Sequence, residues 1–334
     1  MSDDKLVETP ISADAPVGDR AMRSRLTRVL RTAGIFVILI VLVIIASLVS
    51  PKFLSSANWI NVLSTVTFVG VLAVGQTFVA IGGGFSDVSV GSVLSLSAVL
   101  TLGLQPSIGP VAAVAVALLV GLVVGVVNGV LVGVLRTNPV VVTIGTGIVV
   151  SGIALAYTGG NTQYGTSDGL SAFGVGTTLG VPNIVLCFAV IVVLGQLLLS
   201  FTGFGRRLFA TGGNYEAARA STIGVRRVSL GAFVISGIVS GMAGVLMASL
   251  LNQVNYDSGA SFTFTSVAAV AVGGTSLFGG SGSVLRTVVG VVIIGVLNNI
   301  VVLAGLPLNF QVIATGAIIV LTVAADSWLR RRGA

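Results

Sequence analysis

The sequence predicts an all-α, polytopic membrane protein with about ten transmembrane helices, and three observations lead to that prediction. Of the 334 residues, 54% are hydrophobic and only 8% are charged, whereas soluble domains carry about 25% charged residues. Apolar runs such as Val111–Val127 have no polar face, and several are long enough to cross a bilayer, which takes roughly 20 residues. The basic residues lie between these runs. A spanning β-barrel would instead alternate apolar and polar residues.

Hydropathy divides the chain into ten apolar segments. They cover 33–49, 59–81, 88–104, 108–134, 138–158, 182–201, 228–251, 262–275, 284–304 and 309–326. The first segment lacks a small-residue cleavage site, so it is interpreted as a span and not as a signal peptide. The transmembrane domain then covers 33–326. A basic, largely disordered segment over 1–32 precedes it, and a short tail over 327–334 follows it.

The basic residues predict the orientation of these spans. If the N-terminus is cytoplasmic, only Lys52 of the 17 basic residues lies outside. Those inside are Lys5, Arg20, Arg23, Arg25, Arg28, Arg31, Arg136, Arg206, Arg207, Arg219, Arg226, Arg227, Arg286, Arg330, Arg331 and Arg332. Adding or removing one span would divide these groups across the membrane, against the usual excess of positive charge inside. Both termini are therefore predicted to be cytoplasmic.

Composition also excludes several kinds of site. The single cysteine, Cys187, lies within an apolar run and the chain has no histidine, so neither a disulfide framework nor a His/Cys metal site is expected. No cofactor is expected either. The formal charge of +7 does not indicate a nucleic-acid partner, because the positive charges are distributed between membrane spans.

The first of three polar segments, Gly82–Ser92, lies between the second and third spans. Its three consecutive glycines break the helix, and Asp87 is the only acid in the first five spans and their connections. One interpretation is unwound backbone that lines a cavity at membrane depth. The other is a helix N-terminus capped by Ser86 or Asp87. Both interpretations remain open.

The second polar segment is the connection over 203–227, which the predicted orientation places in the cytoplasm. Asn214 is a good N-cap, and Glu216 follows in the first turn, where the helix dipole favours an acid. A short helix is therefore predicted over Tyr215–Ser221, ending near Gly224. Such a helix suits docking to a soluble partner. The alternative is a solvated basic loop in which the helix is incidental.

The third polar segment, Gly273–Ser283, is rich in glycine but lacks the Gly-Lys-Ser/Thr ending of a phosphate-binding loop. It is interpreted as a hinge or a re-entrant turn.

Polar residues inside the spans are few, the clearest being Gln76, Asn128, Thr143, Asn298 and Asn299. Amides in hydrocarbon either form hydrogen bonds between helices or face a solute pathway. The candidate pathway residues are Gln76, Asp87, Ser89, Asn128 and Asn298. No span carries a clear central carboxylate or histidine of the kind that relays protons, which argues against a proton-coupled transporter.

Two further patterns concern helix packing and symmetry. The motifs Gly121-x-x-x-Gly125 and Gly237-x-x-x-Gly241 are typical of membrane helices that approach closely.

The segments that start at Gly125 and Gly295 align without gaps at an offset of 170 residues. They run in opposite directions in the predicted topology, so an inverted repeat is one interpretation. A second similarity, at an offset of 191 residues, cannot belong to the same register.

Four blocks occur in order along the chain: Gly83–Ser92, Asn128–Thr146, Phe204–Ile223 and Ala269–Val284. Together they resemble the permease subunits of bacterial carbohydrate ABC importers of the ribose/xylose/galactose type, over about residues 35 to 325. The sequence departs from the family pattern at Thr222 and Arg286, where the family commonly has glycine.

The resemblance implies a permease that moves a monosaccharide or similar small polar solute across the bacterial inner membrane by alternating access. It implies three partners: a cytoplasmic ATPase, a second permease copy or paralogue, and an extracytoplasmic solute-binding protein. ATP hydrolysis would belong to the ATPase, so the chain itself is not expected to be an enzyme. The residues that would couple it to the ATPase are Gly212, Gly213, Asn214, Glu216, Ala217, Ala218 and Arg219.

Three alternatives remain at this stage. A permease of the same superfamily could carry branched amino acids or nucleosides. An ion-coupled secondary transporter would need no ATPase, and a structural membrane subunit would have no transport role.

Overall fold

The computed structural model describes residues 34–307, 309–317, 320–321 and 324. Its helices are α1 Gly34–Val49, α2 Ser56–Ile81, α3 Val90–Gly103, α4 Gln105–Gly129, α5 Pro139–Thr158, α6 Asp168–Val175, α7 Asn183–Phe201, α8 Gly203–Gly213, α9 Tyr215–Ala220, α10 Val225–Leu251, α11 Ala260–Val272, α12 Val284–Leu303 and α13, described over 309–317. A π-helical turn, Val130–Val134, continues α4. Strands β1 Gln163–Tyr164 and β4 Gln253–Val254 form one antiparallel pair, and β2 Thr177–Thr178 and β3 Val181–Pro182 form another.

The chain is an all-α membrane protein, as predicted, and each of the ten predicted spans contains a described helix. Among the described residues, six helices are long and apolar enough to cross a membrane: Ser56–Ile81, Gln105–Val134, Pro139–Thr158, Asn183–Phe201, Val225–Leu251 and Val284–Leu303. The count of ten crossings therefore remains a prediction. The predicted N-terminal segment over 1–32 and the tail over 327–334 lie outside the described residues.

Helices α3 and α11 are too short to cross a bilayer alone. Their 14 and 13 residues extend about 20 Å at 1.5 Å per residue, whereas the hydrocarbon core is about 30 Å thick. Their first turns meet, since Gly91 N donates to Thr263 Oγ1 at 3.1 Å and Gly259 N donates to Ser95 Oγ at 2.8 Å. Each short helix is preceded by non-helical backbone, which is stable at membrane depth only where protein surrounds it.

Element boundaries recur along the chain at a constant separation. Helix α2 ends at Ile81 and α10 ends at Leu251, 170 residues later. Helix α3 begins at Val90 and α11 begins at Ala260, again 170 residues later. The same separation relates the two similar sequence segments that start at Gly125 and Gly295. The recurrence therefore extends over several consecutive helices.

Helix α10 packs closely on α4 through the two glycine motifs. A Cβ added to Gly237 would overlap the carbonyl oxygen of Gly121, and one added to Gly125 would lie 3.0 Å from the Cα of Val234. Gly241 likewise faces Gly121. Small residues at these positions let the backbones approach where no hydrophobic force drives helices together. The largest fully buried side chains include Phe78, Leu94, Leu102, Ile184, Leu199, Leu208, Phe233 and Met247.

Candidate functional site

The three glycine-rich segments that stand out in the sequence meet at one end of the molecule. Gly280 N donates to the carbonyl oxygen of Ile81 at 3.0 Å. A Cβ added to Gly212 would overlap that same carbonyl oxygen, and one added to Gly83 would lie 3.6 Å from the Cα of Gly212. The end of α2, the end of α8 and the loop after α11 are therefore packed backbone against backbone.

Helix α9 projects from this junction. The predicted helix over Tyr215–Ser221 is observed as Tyr215–Ala220, and the Asn214 side chain caps it by accepting a hydrogen bond from Ala217 N at 3.0 Å. Ala218 is buried, whereas Glu216, Ala217 and Arg219 are exposed. The candidate coupling residues thus lie within one segment that has a buried anchor and a charged outer face. They are Gly212, Gly213, Asn214, Glu216, Ala217, Ala218 and Arg219.

A contact that the sequence did not predict joins α9 to the start of α5. The guanidinium carbon of Arg136 lies 5.2 Å from the centre of the Tyr215 ring, a distance typical of a cation–π interaction. Arg136 has a left-handed φ of 59° and lies between the π-helical turn and α5. Helix α9 is therefore attached to α5 as well as to α8.

A cleft of about 620 Å³ adjoins α9 on its other side. It lies between the start of α8, the end of α9 and the start of α10. Its lining residues are Gly203, Phe204, Arg207, Ser221, Thr222, Ile223, Gly224, Arg227 and Val228. The two arginines make it a basic recess next to the exposed face of α9.

The segment between α2 and α3 is held by a buried hydrogen-bond network. Gln76 Nε2 donates to the carbonyl oxygen of Asp87 at 2.7 Å, and Asp87 N donates back to Gln76 Oε1 at 2.9 Å. The Asp87 carboxylate accepts from Ser89 N at 3.0 Å and Ser89 Oγ at 2.6 Å, and from Ser236 Oγ of α10 at 2.9 Å. Asp87 and Ser89 are almost fully buried, so the carboxylate is satisfied by protein groups.

The same network continues into α4 and α5. Asn128 Nδ2 donates to Ser89 Oγ at 2.9 Å, and Thr146 Oγ1 donates to Asn128 Oδ1 at 2.7 Å. Thr143 Oγ1 accepts from Val88 N at 3.0 Å. Four candidate pathway residues, Gln76, Asp87, Ser89 and Asn128, are thus brought together. They line neither the basic cleft nor the cavity described next.

The fifth candidate pathway residue, Asn298, lies elsewhere, in a cavity of about 820 Å³ between α2, α11, α12 and α13. The polar lining residues are Asn58, Asn61, Thr65, Ser261, Thr265, Asn298, Asn299, Gln311 and Thr315. None of the described lining residues carries a charge. Asn58 and Asn61 were not predicted, because they lie at the boundary of the second span, where polar residues are ordinary.

Comparison with known proteins identifies the kind of protein to which these features belong. The profile of the family described as the permease component of the branched-chain amino acid transport system matches residues 58–323. The chain belongs to this family. All the candidate coupling and pathway residues of this permease lie within the matched range. Together with the sugar-permease relatives given next, this match confirms the resemblance that the four sequence blocks indicated.

Curated relatives of this permease cover nearly the whole chain. The ribose import permease of Bacillus subtilis is 40% identical over 301 residues, which is 89% of this chain and 93% of that protein. The ribose import permease of Escherichia coli K12 is 32% identical, covering 86% and 91%. The D-allose transport system permease of the same strain is 32% identical, covering 88% and 90%. No solved structure matches the chain significantly.

Proposed function

We propose that this permease is the membrane subunit of an ATP-driven importer and that its solute is a neutral sugar. The relatives named for ribose and D-allose transport match along most of the chain and support this solute class. The uncharged lining of the 820 Å³ cavity also supports it. A zwitterionic amino acid would need buried partners for both of its charges, because an unpaired charge is costly to bury. An amino acid is therefore the less favoured solute.

The observation that carries the coupling role is the exposed, capped helix α9. Its N-cap and its buried Ala218 hold it in one position, while Glu216, Ala217 and Arg219 face outward. A rigid segment with charges of both signs on its outer face suits electrostatic recognition of a folded partner. We assign that partner as a cytoplasmic ATPase, because the glycine-rich loop of this chain lacks the lysine of a phosphate-binding loop.

Movement of α9 would reach the transmembrane helices by two routes. Gly212 packs against the end of α2 and against Gly280 in the loop after α11. Arg136 connects Tyr215 to the start of α5. Because packed backbones of this kind cannot slide independently, closure of the ATPase would reposition these helices together. Alternating access would follow from that displacement.

The two groups of candidate pathway residues receive different roles in this proposal. Gln76, Asp87, Ser89 and Asn128 bond to one another and to neighbouring groups, so we assign them to fixing the unwound segment that precedes α3. The backbone carbonyl of Asn298 accepts from Gln311 Nε2 at 3.4 Å. Its side chain has no hydrogen-bond partner among the described residues and lines the cavity, so we keep it on the solute route.

The wider architecture in this proposal follows from the charge pattern and the family. Ten spans with both termini in the cytoplasm agree with the basic residues. The 170-residue recurrence of helix boundaries, with α3 and α11 meeting at their first turns, supports an inverted repeat. A second permease copy or paralogue and an extracytoplasmic binding protein would complete the importer.

The proposed function predicts that sugar uptake depends on the ATPase. We expect cells that express the whole importer to take up radiolabelled D-ribose or D-allose. Replacing the phosphate-binding lysine of the ATPase should reduce uptake to background, because that lysine contacts the transferred phosphate. Dissipating the proton gradient at constant ATP should leave uptake unchanged.

The opposite pattern would refute this function. Uptake that persists with the inactive ATPase and collapses with the proton gradient would identify an ion-coupled transporter. Uptake of branched amino acids without uptake of either sugar would overturn the solute class and leave the coupling role in place.

A further inference from the structure

We propose that the cavity between α2, α11, α12 and α13 holds a neutral polyhydroxyl solute during transport, and that the side chains of Asn58 and Asn299 close its outer end. This inference rests on the proposed function and adds to it a solute site and a gate. The outer end is the one next to Lys52, which the charge pattern places outside. The volume of about 820 Å³ is within the range of small-molecule sites.

Two amides inside the cavity are available to a ligand. Among the described residues, neither the Asn61 side chain nor the Asn298 side chain has a hydrogen-bond partner, although both line the cavity. An amide presents both donors and acceptors, which matches the hydroxyl groups of a sugar. Asn61 is exposed and Asn298 is half-buried, so a solute in the cavity can reach both amides and hydrogen-bond to them.

An aromatic ring and the absence of charge complete the chemistry. Phe264 lines the cavity and is 60% exposed, so its ring offers an apolar surface to the C–H face of a sugar. None of the described lining residues is acidic or basic. The cavity therefore suits a solute with hydroxyl groups and an apolar ring face, and it offers no side chain to balance a charged solute.

Asn58 and Asn299 form a reciprocal amide pair across the cavity. Asn58 Nδ2 donates to Asn299 Oδ1 at 3.0 Å, and Asn299 Nδ2 donates to Asn58 Oδ1 at 2.9 Å. Asn58 Nδ2 also donates to the carbonyl oxygen of Phe53 at 3.0 Å. The pair joins the first turn of α2 to the last turns of α12. Hydrogen bonds between membrane helices are individually weak, so modest helix motion can separate this pair.

The inner end of the cavity is apolar. Val69 of α2 and Val291 and Ile294 of α12 line it and are buried. These side chains offer no hydrogen bonds to a sugar, so the polar groups nearer the amide pair are where it would be held. The arrangement is that of a site with a polar outer half, the Asn58–Asn299 amide pair at its outer end and an apolar floor that must part for release.

A reversible cross-link tests the gate. In a Cys187→Ser background, Asn58→Cys and Asn299→Cys would be bridged with a short, reducible bis-methanethiosulfonate in the complete importer. We expect the unbridged variant to import radiolabelled D-ribose or D-allose. Bridging should lower uptake by at least about tenfold, and reduction should restore it, because a tether prevents the helices from separating.

The matched control is a pair of cysteines at Thr178 and Val181, which lie opposite each other in the β2–β3 hairpin. The same bridge there should leave uptake unchanged, because it spans a local turn. Normal uptake by the bridged Asn58→Cys/Asn299→Cys variant would overturn the gate. If the unmodified importer takes up no neutral sugar, the proposed function fails and the cavity assignment fails with it. Uptake that bridging does not affect would refute the gate alone.

A second variant tests the solute contacts. Replacing Asn61 and Asn298 together with leucine keeps the branched side-chain shape and the number of side-chain heavy atoms and removes both amides. Because hydrogen bonds from both amides to the solute would be lost, we expect maximal uptake to fall by at least about tenfold with membrane insertion unchanged. The Asn61→Gln/Asn298→Gln variant should retain more uptake than the leucine variant. Equal uptake by the leucine variant and the unmodified importer would refute this solute site.

Discussion

Replacing Gly237 with valine is expected to abolish folding of the permease. A Cβ at this position would overlap the carbonyl oxygen of Gly121 and lie 2.8 Å from Gly125, so α10 and α4 would have to separate along their whole contact. Overpacking against a backbone cannot be relieved by a change of rotamer, and we expect a destabilisation of about 4 kcal/mol or more. The fraction of monodisperse protein in detergent would measure it, by size exclusion of a fluorescent fusion.

Gly152→Val is the matched control for this substitution. Gly152 also lies within an apolar helix, α5, but a Cβ added there has no neighbour within 4 Å. Valine and glycine differ little in helix propensity, so the control should fold at nearly the unmodified level. Equal recovery of Gly237→Val and Gly152→Val would show that α10 and α4 do not pack closely.

Reversing the charges of α9 is expected to uncouple transport without affecting membrane insertion. Glu216 and Arg219 are exposed, and exposed substitutions usually change stability by less than about 0.5 kcal/mol. Opposed like charges in an interface cost several kcal/mol. The Glu216→Lys/Arg219→Glu variant should therefore lower ATP-dependent sugar uptake by at least about tenfold, measured beside the amount of permease in the membrane.

Asp257→Lys provides the comparison for the α9 variant, because Asp257 is exposed on the segment between α10 and α11, at the opposite end from α9. Its uptake should equal that of the unmodified importer. Normal uptake by the α9 variant would show that Glu216 and Arg219 do not contact the ATPase. Loss of the α9 variant from the membrane would show that these side chains serve the fold instead.

The sequence predicted the features that depend on local composition. Apolar runs located the helices, and the Asn214 cap with Glu216 in the next turn located α9 to within one residue. Hydropathy located α3 and α11 within predicted spans, but it could not show that these helices have only 14 and 13 residues. Their length and the meeting of their first turns depend on tertiary packing.

Contacts between distant parts of the chain could not be predicted. Asn58 and Asn299 are 241 residues apart, and Asp87 and Ser236 are 149 residues apart. Nothing in the local sequence distinguishes an amide that bonds to another helix from one that faces a solute. The candidate pathway residues were therefore selected by polarity alone. Only their positions in the fold separate the four in the hydrogen-bonded network from the one that lines the cavity.

The most direct test of the account is the side of the membrane on which α9 lies. In a Cys187→Ser background, Ala217→Cys would place a single exposed thiol on this helix, and Thr178→Cys would place one on the β2–β3 hairpin. With a membrane-impermeant maleimide and right-side-out vesicles, we predict labelling of Thr178→Cys alone. Ala217→Cys should react only after permeabilisation. Reaction of Ala217→Cys in sealed vesicles would contradict docking to a cytoplasmic ATPase.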